Sequence, residues 1–238
     1  RDQMGLDFQD FLIGEACFAA TVVVLEVPTG WISDVWQRKH VLLLAAFVDM
    51  LGYGCLLIGD SLAWAVAAQM IIGVAISLIS GTNTAMLYDT LLSGGKERGF
   101  RALEGKRSGL GFYSVSGASI LGGFLYPAYH QLPVLLSILS LLAALMFVAF
   151  MQEPTRHKRI PEKHPLADMI ETARYALHGH AEIGMIIIFA ATLFCSTKLI
   201  MWSQQPYYMT LGIKEQYFGL LMAAGFFLAG MSSHLGHT

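Results

Sequence analysis

The stretch Gly30-Trp31-Ile32-Ser33-Asp34-Val35-Trp36-Gln37-Arg38-Lys39, preceded by Leu25-Glu26-Val27-Pro28-Thr29, is a short polar hinge between two long apolar runs. A glycine is followed four positions later by an aspartate, and then by two adjacent cations that lead into the next run. The lengths on either side give the hinge its meaning. A bilayer core about 30 Å thick takes roughly 20 mostly apolar helical residues. Seven segments meet that length: 9–32, 40–58, 61–88, 108–126, 132–151, 182–205 and 215–234. The expected fold class is therefore all-α, a polytopic transmembrane helix bundle.

Composition agrees. Of 238 residues, 55% are hydrophobic and 13% charged, and the mean hydropathy is +0.56. Soluble domains carry about a quarter charged residues. The net charge of −2 and the lack of a basic stripe give no reason to expect nucleic acid. Cys17, Cys55 and Cys195 lie far apart inside apolar segments, which suits packing and neither a disulfide framework nor a metal site. No cofactor is expected.

Charge in the connections orients the bundle. Arg38 and Lys39 follow the first span, and Lys96, Arg98, Arg101, Lys106 and Arg107 follow the third. Arg156, Lys158, Arg159, Lys163 and Arg174 follow the fifth. The alternate connections hold Lys214, with Arg1 on the same side. Basic residues mark the cytoplasmic face, so the loops after the first, third and fifth spans are expected there. The amino end then lies outside without an initiator Met or signal peptide, and the carboxyl end stops at HLGHT as the seventh span reaches the cytoplasm. A fragment lacking a preceding span is the expectation. The expected organisation is an amino-terminal half-bundle (1–151), a cytoplasmic linker (152–181) and the start of a carboxyl-terminal half-bundle (182–238). Within the linker, Leu166, Ile170, Ala173 and Leu177 recur at helical spacing, which predicts an amphipathic helix on the membrane surface or on the protein's own inner face.

The hinge resembles the signature loop of the major facilitator superfamily of secondary transporters, G-x-x-x-D-[RK]-x-G-[RK]-[RK]. Gly30, Asp34, Arg38 and Lys39 match it, as does Leu42 at a trailing apolar position; Val35 and Gln37 depart from it. The resemblance implies a fold of twelve helices in two halves, of which seven are present, corresponding to the second through eighth. It implies a gate in which the hinge cations pair with acids at nearby helix ends. Asp89 is the expected partner of Arg38, and Glu26 is assigned to the same cluster. Ser80–Leu91, SGTNTAMLYDTL, with LGGFLYP further on, resembles a set of largely uncharacterised bacterial members presumed to be exporters. That implies a bacterial inner membrane and efflux. Gln69 stands where proton-coupled members often carry an arginine, and the fourth span lacks the G-P-x-x-G-G of many antiporters.

Polar residues inside spans need a reason, since a charge at mid-bilayer costs about 2.5–3.5 kcal/mol on insertion scales. Cys195, Lys198, Trp202 and Gln205 share one face of the sixth span, and Pro206 is expected to end or kink that helix. Lys198 is a candidate to contact substrate or a distant acid; the alternative is a side chain that snorkels outward. Gln69, Gly73, Ser77, Ser80 and Thr84 form a small-polar stripe in the third span with Asn83 close by, suited to helix packing or to solute. Asp49, mid-way along the second span, is a candidate for a coupling proton or a structural hydrogen bond. Glu15 stays unassigned. Gly30 and the glycines of the fourth span are expected to permit close helix approach.

The function expected is secondary active transport of a small organic solute by alternating access, with a proton or sodium ion as possible coupling partner and a monomeric whole protein. The alternative is a seven-span receptor or scaffold without transport. An intramembrane aspartyl protease is a poor fit: Tyr88-Asp89 has no GxGD aspartate following it. No enzyme activity is expected.

Overall fold

The computed structural model describes residues 7–154 and 181–235; the amphipathic helix expected at Leu166–Leu177 lies outside them. Seven long helices account for most of the described chain: α1 (Phe8–Val35), α2 (Arg38–Ile58), α3 (Leu62–Ser93), α4 (Phe100–Leu125), α5 (Leu132–Phe150), α6 (Ala181–Thr210) and α7 (Phe218–Leu235). Six are long and apolar enough to cross a membrane; α4 falls just outside that set. Its glycines and serines dilute its apolar content, a composition suited to packing against another helix.

The helices begin where local chemistry favours it. Asp7 and Asp10 form a capping box at the start of α1, with the Asp7 carboxylate accepting from Phe8 N–H at 2.7 Å. Pro133 sits in the first turn of α5, where a missing N–H is harmless. Two prolines lie inside helices instead. α1 runs through Pro28 to Val35, so the hinge narrows to Trp36 and Gln37. α6 continues through Pro206 to Thr210, so of the two expectations, an end or a kink, the end is excluded. Proline removes one backbone donor, but ending the helix in an apolar surrounding would strand several more.

Packing is inverted relative to a water-soluble protein. Phe150, Phe147 and Val23 are exposed, whereas Ala45, Ala68, Ala75, Ser77 and Thr82 are buried. Small residues inside and large apolar residues outside are what lipid solvation selects. α3 lies parallel to α1 and antiparallel to α2, and packs closely on both; α2 also packs on α5. Along α2 the buried residues are Arg38, Val41, Leu42, Ala45, Ala46, Asp49 and Gly52, a stripe at helical spacing. A Cβ on Gly52 would come within 2.6 Å of the Ile72 side chain and 3.3 Å of the Ala68 carbonyl oxygen; glycine is what lets α2 and α3 meet there.

The remaining close pair is α4 with α7, which run antiparallel. Gly109 faces Gly230, and Gly123 faces Gly219. Between these levels the buried Ser116 hydroxyl donates to the Ala223 carbonyl at 2.8 Å. A Cβ on Gly219 would collide with the Ser119 carbonyl oxygen and lie 3.0 Å from Gly123 Cα.

Candidate gate and intramembrane polar pairs

The alternation of spans brings the ends of α1 and α3 and the start of α2 to one level, and the hinge joins two of them. There Arg38 Nε lies 2.8 Å from Asp89 Oδ2 in an ion pair, and Arg38 Nη2 lies 4.0 Å from Asp34 Oδ1. The Arg38 and Asp89 side chains are 10% and 15% exposed, whereas Asp34 is 69% exposed. The ion pair is thus largely withdrawn from water, and Asp34 adds a weaker, solvated charge. Both atoms are buried and neither makes a well-aligned hydrogen bond among the described residues, so the contact is ionic and each charge depends on the other.

Glu153, which belongs to no motif in the sequence, joins the same group. Its Oε1 accepts from Arg38 N–H at 2.9 Å and its Oε2 from Lys39 N–H at 2.8 Å. One signal was available in the sequence: an acid directly after a span, facing a helix whose first residues are all basic or neutral. Lys39 itself is half-buried.

Farther along α1 and α3, polar residues pair at successive depths. Gln69 Nε2 donates to Glu15 Oε1 at 2.9 Å, and Ser80 Oγ to Glu26 Oε1 at 3.1 Å. Thr29 Oγ1 donates to the Ser77 carbonyl at 2.9 Å, and Thr82 Oγ1 to Ser33 Oγ at 2.9 Å. Parallel α1 and α3 keep the two glutamates in step with their partners. Glu15 and Glu26 are eleven residues apart, as are Gln69 and Ser80, about three helical turns. Glu26 therefore belongs with Ser80, and Arg38 draws its ion pairs from Asp34 and Asp89. Gly73 allows this approach: a Cβ there would lie 3.1 Å from the Phe18 carbonyl oxygen. Gly30 does not take part, because a Cβ there meets nothing within 4 Å.

A family model described as Major Facilitator Superfamily matches residues 2–237. The chain belongs to the major facilitator superfamily. No curated protein and no solved structure matched it. Membership makes the bundle a partial major facilitator fold and the chain a multi-pass membrane protein of a transporter family, whose members are in general not enzymes. It favours transport over the receptor or scaffold alternative.

Within this major facilitator chain the remaining candidates are dispersed. Gln69 is engaged by Glu15 in the α1–α3 seam, and Asn83 is half-buried beside Thr82. Asp49 is 8% exposed in the α2 stripe, and its Oδ1 has no hydrogen-bond partner among the described residues. Lys198 is half-buried on α6. Its Nζ lies 5.6 Å from the centre of the Phe194 ring, one turn away, in cation–π contact. It forms no ion pair among the described residues. Trp202 is half-buried on the same helix, and Gln205 Nε2 approaches Met222 Sδ at 3.8 Å. Among the described residues no group of His, Cys, Asp and Glu could hold a metal ion.

Proposed function

We propose that this chain serves secondary active transport of a small organic solute by alternating access, with the hinge as its inner gate. The observation that carries this reading is the withdrawn Arg38–Asp89 pair, which ties the start of α2 to the end of α3. A buried ion pair contributes little net stability against an apolar alternative, while breaking one side of it is costly. Such a pair suits an element that must be closed firmly in one state and fully released in another.

In this reading the hinge end faces the cytoplasm, as the basic connections suggest, and the bilayer is a bacterial cell membrane. The solute binds near the midplane between two halves, with 1–151 belonging to the first half, 152–181 to the linker and 182–238 to the second. A proton or a sodium ion couples the cycle, with Asp49 the carboxyl placed to take part. Lys198 supplies a cation on α6 with no ionic partner among the described residues, which favours an amphipathic or anionic solute; Gln69, Asn83, Trp202 and Gln205 are further candidate contacts. Export is the direction favoured, and the whole protein acts as a monomer.

The test is flux into or out of liposomes under an imposed proton or sodium gradient, across a panel of amphipathic organic anions. Gradient-dependent flux that Lys198→Ala reduces by about tenfold or more supports the reading. Gradient-dependent flux indifferent to that substitution removes the anionic assignment, and no flux of any solute in the panel removes the support for this solute class.

A further inference from the structure

The first turn of α2 poses an electrostatic problem that the helix does not solve for itself. Arg38, Lys39 and His40 occupy it, no acid is present, and Gln37 makes no capping hydrogen bond with its side chain. Two cations therefore sit at the positive end of a helix dipole, with unmet backbone N–H groups beside them. Glu153 meets both needs from outside the helix, its two oxygens accepting from two consecutive N–H groups at 2.9 and 2.8 Å. Arg38 is then held through its backbone by Glu153 and through its guanidinium by Asp89 and Asp34. α5 ends at Phe150, and Met151 turns the chain into an extended path, so Glu153 lies on the segment that leads out of α5 toward the connection between the halves.

We infer that Glu153 is a positioning residue for the gate, a latch that fastens the first turn of α2, and with it the Arg38–Asp89 pair, to the segment leaving α5. Displacing that segment withdraws the cap, frees the first turn and lets the guanidinium leave Asp89. Inter-half motion thereby reaches the gate through one carboxylate. This inference rests on the gate reading above.

The experiment uses the whole protein in liposomes, with Cys17, Cys55 and Cys195 replaced by alanine and Ser33→Cys as reporter just inside the hinge. A membrane-impermeant maleimide, added on the hinge side, reads how often the gate opens. Glu153→Gln keeps the side-chain volume and loses the charge; the expected result is labelling about fivefold faster. Asp89→Asn is expected to accelerate labelling too, and the double variant to be no faster than the faster single one, because both act on one pair. If Asp89→Asn accelerates labelling and Glu153→Gln does not, the latch is overturned and the gate stands. If the two effects multiply, Glu153 merely stabilises α2 and the latch is likewise overturned. If Asp89→Asn has no effect, the gate reading falls and takes the latch with it. Should the reporter background fail to fold, amide hydrogen exchange on the protein with its native cysteines decides. Faster exchange in Glu153→Gln at both 37–42 and 86–92 supports the latch, and a change confined to 37–42, or none, overturns it.

Discussion

Replacing Arg38 by glutamine leaves Asp89 as a largely buried carboxylate without a cation. That is the costly half of a broken pair, about 2–4 kcal/mol at this degree of burial. The double variant Arg38→Gln/Asp89→Asn removes both charges and is expected to recover most of the loss, leaving about 1 kcal/mol. Thermal unfolding of the protein in detergent, read as a double-mutant cycle, checks this; additive losses would mean that the two side chains do not act as a pair. Asp34 provides the contrast. It is 69% exposed and 4.0 Å from the guanidinium, so Asp34→Asn is expected to change stability by less than about 0.5 kcal/mol. This difference between two acids near one arginine could not be read from the sequence. The family resemblance already pointed to Asp89 as the partner of Arg38, and antiparallel α2 and α3 do bring it there across fifty-one positions; what spacing did not reveal is that Asp34, only four positions before Arg38, stays largely in solvent.

Among elements, the α4–α7 seam depends on positions without side chains. Gly219→Ala is expected to lower the unfolding free energy by about 1–3 kcal/mol, because its Cβ meets the Ser119 carbonyl and the Gly123 backbone with no rotamer to relieve it. Gly117→Ala, on the same α4, meets nothing within 4 Å and is expected to be neutral or slightly stabilising through better helix propensity. Equal effects at the two sites would contradict the seam. The sequence made the spans legible because lipid demands long apolar runs, and all seven helices lie where those runs predicted them. It also pointed to close packing somewhere in the fourth span. It could not say which glycines were used, since Gly109, Gly123 and Gly117 look alike until the partner helix is placed. For the same reason the stripe from Gln69 to Thr84 read equally well as packing or as a solute surface, and Glu15 had no assignment until parallel α1 and α3 set it beside Gln69. Pro206, read as a stop or a kink, is no stop for a different reason. Local breaker chemistry is weighed against water in a soluble protein and against lipid here.

For the molecule as a whole, α4 belongs by sequence to the first group of spans yet packs chiefly on α7, beyond the connection. Covalent continuity is then not the only link between the segments before and after the connection. Residues 1–154 and 181–238 produced as separate polypeptides are expected to co-purify from membranes, and Gly123→Leu together with Gly219→Leu is expected to separate them. Failure of the unmodified pieces to associate would show that the connection itself holds the parts in place. The seam also has a mechanical character that follows from its chemistry. Interlocked side chains act as gear teeth, and turning one helix against another then requires rotamers to change in concert. At Gly123 and Gly219 there are no teeth, whereas at the other end the Tyr113 ring seats on Gly230 and packs against Phe227; the Ser116 and Ser233 hydroxyls donate across the seam to the Ala223 and Gly105 carbonyls. α4 and α7 thus meet smoothly at one end and are keyed by an aromatic ring at the other, so a tilt of one against the other costs least when it pivots at the keyed end.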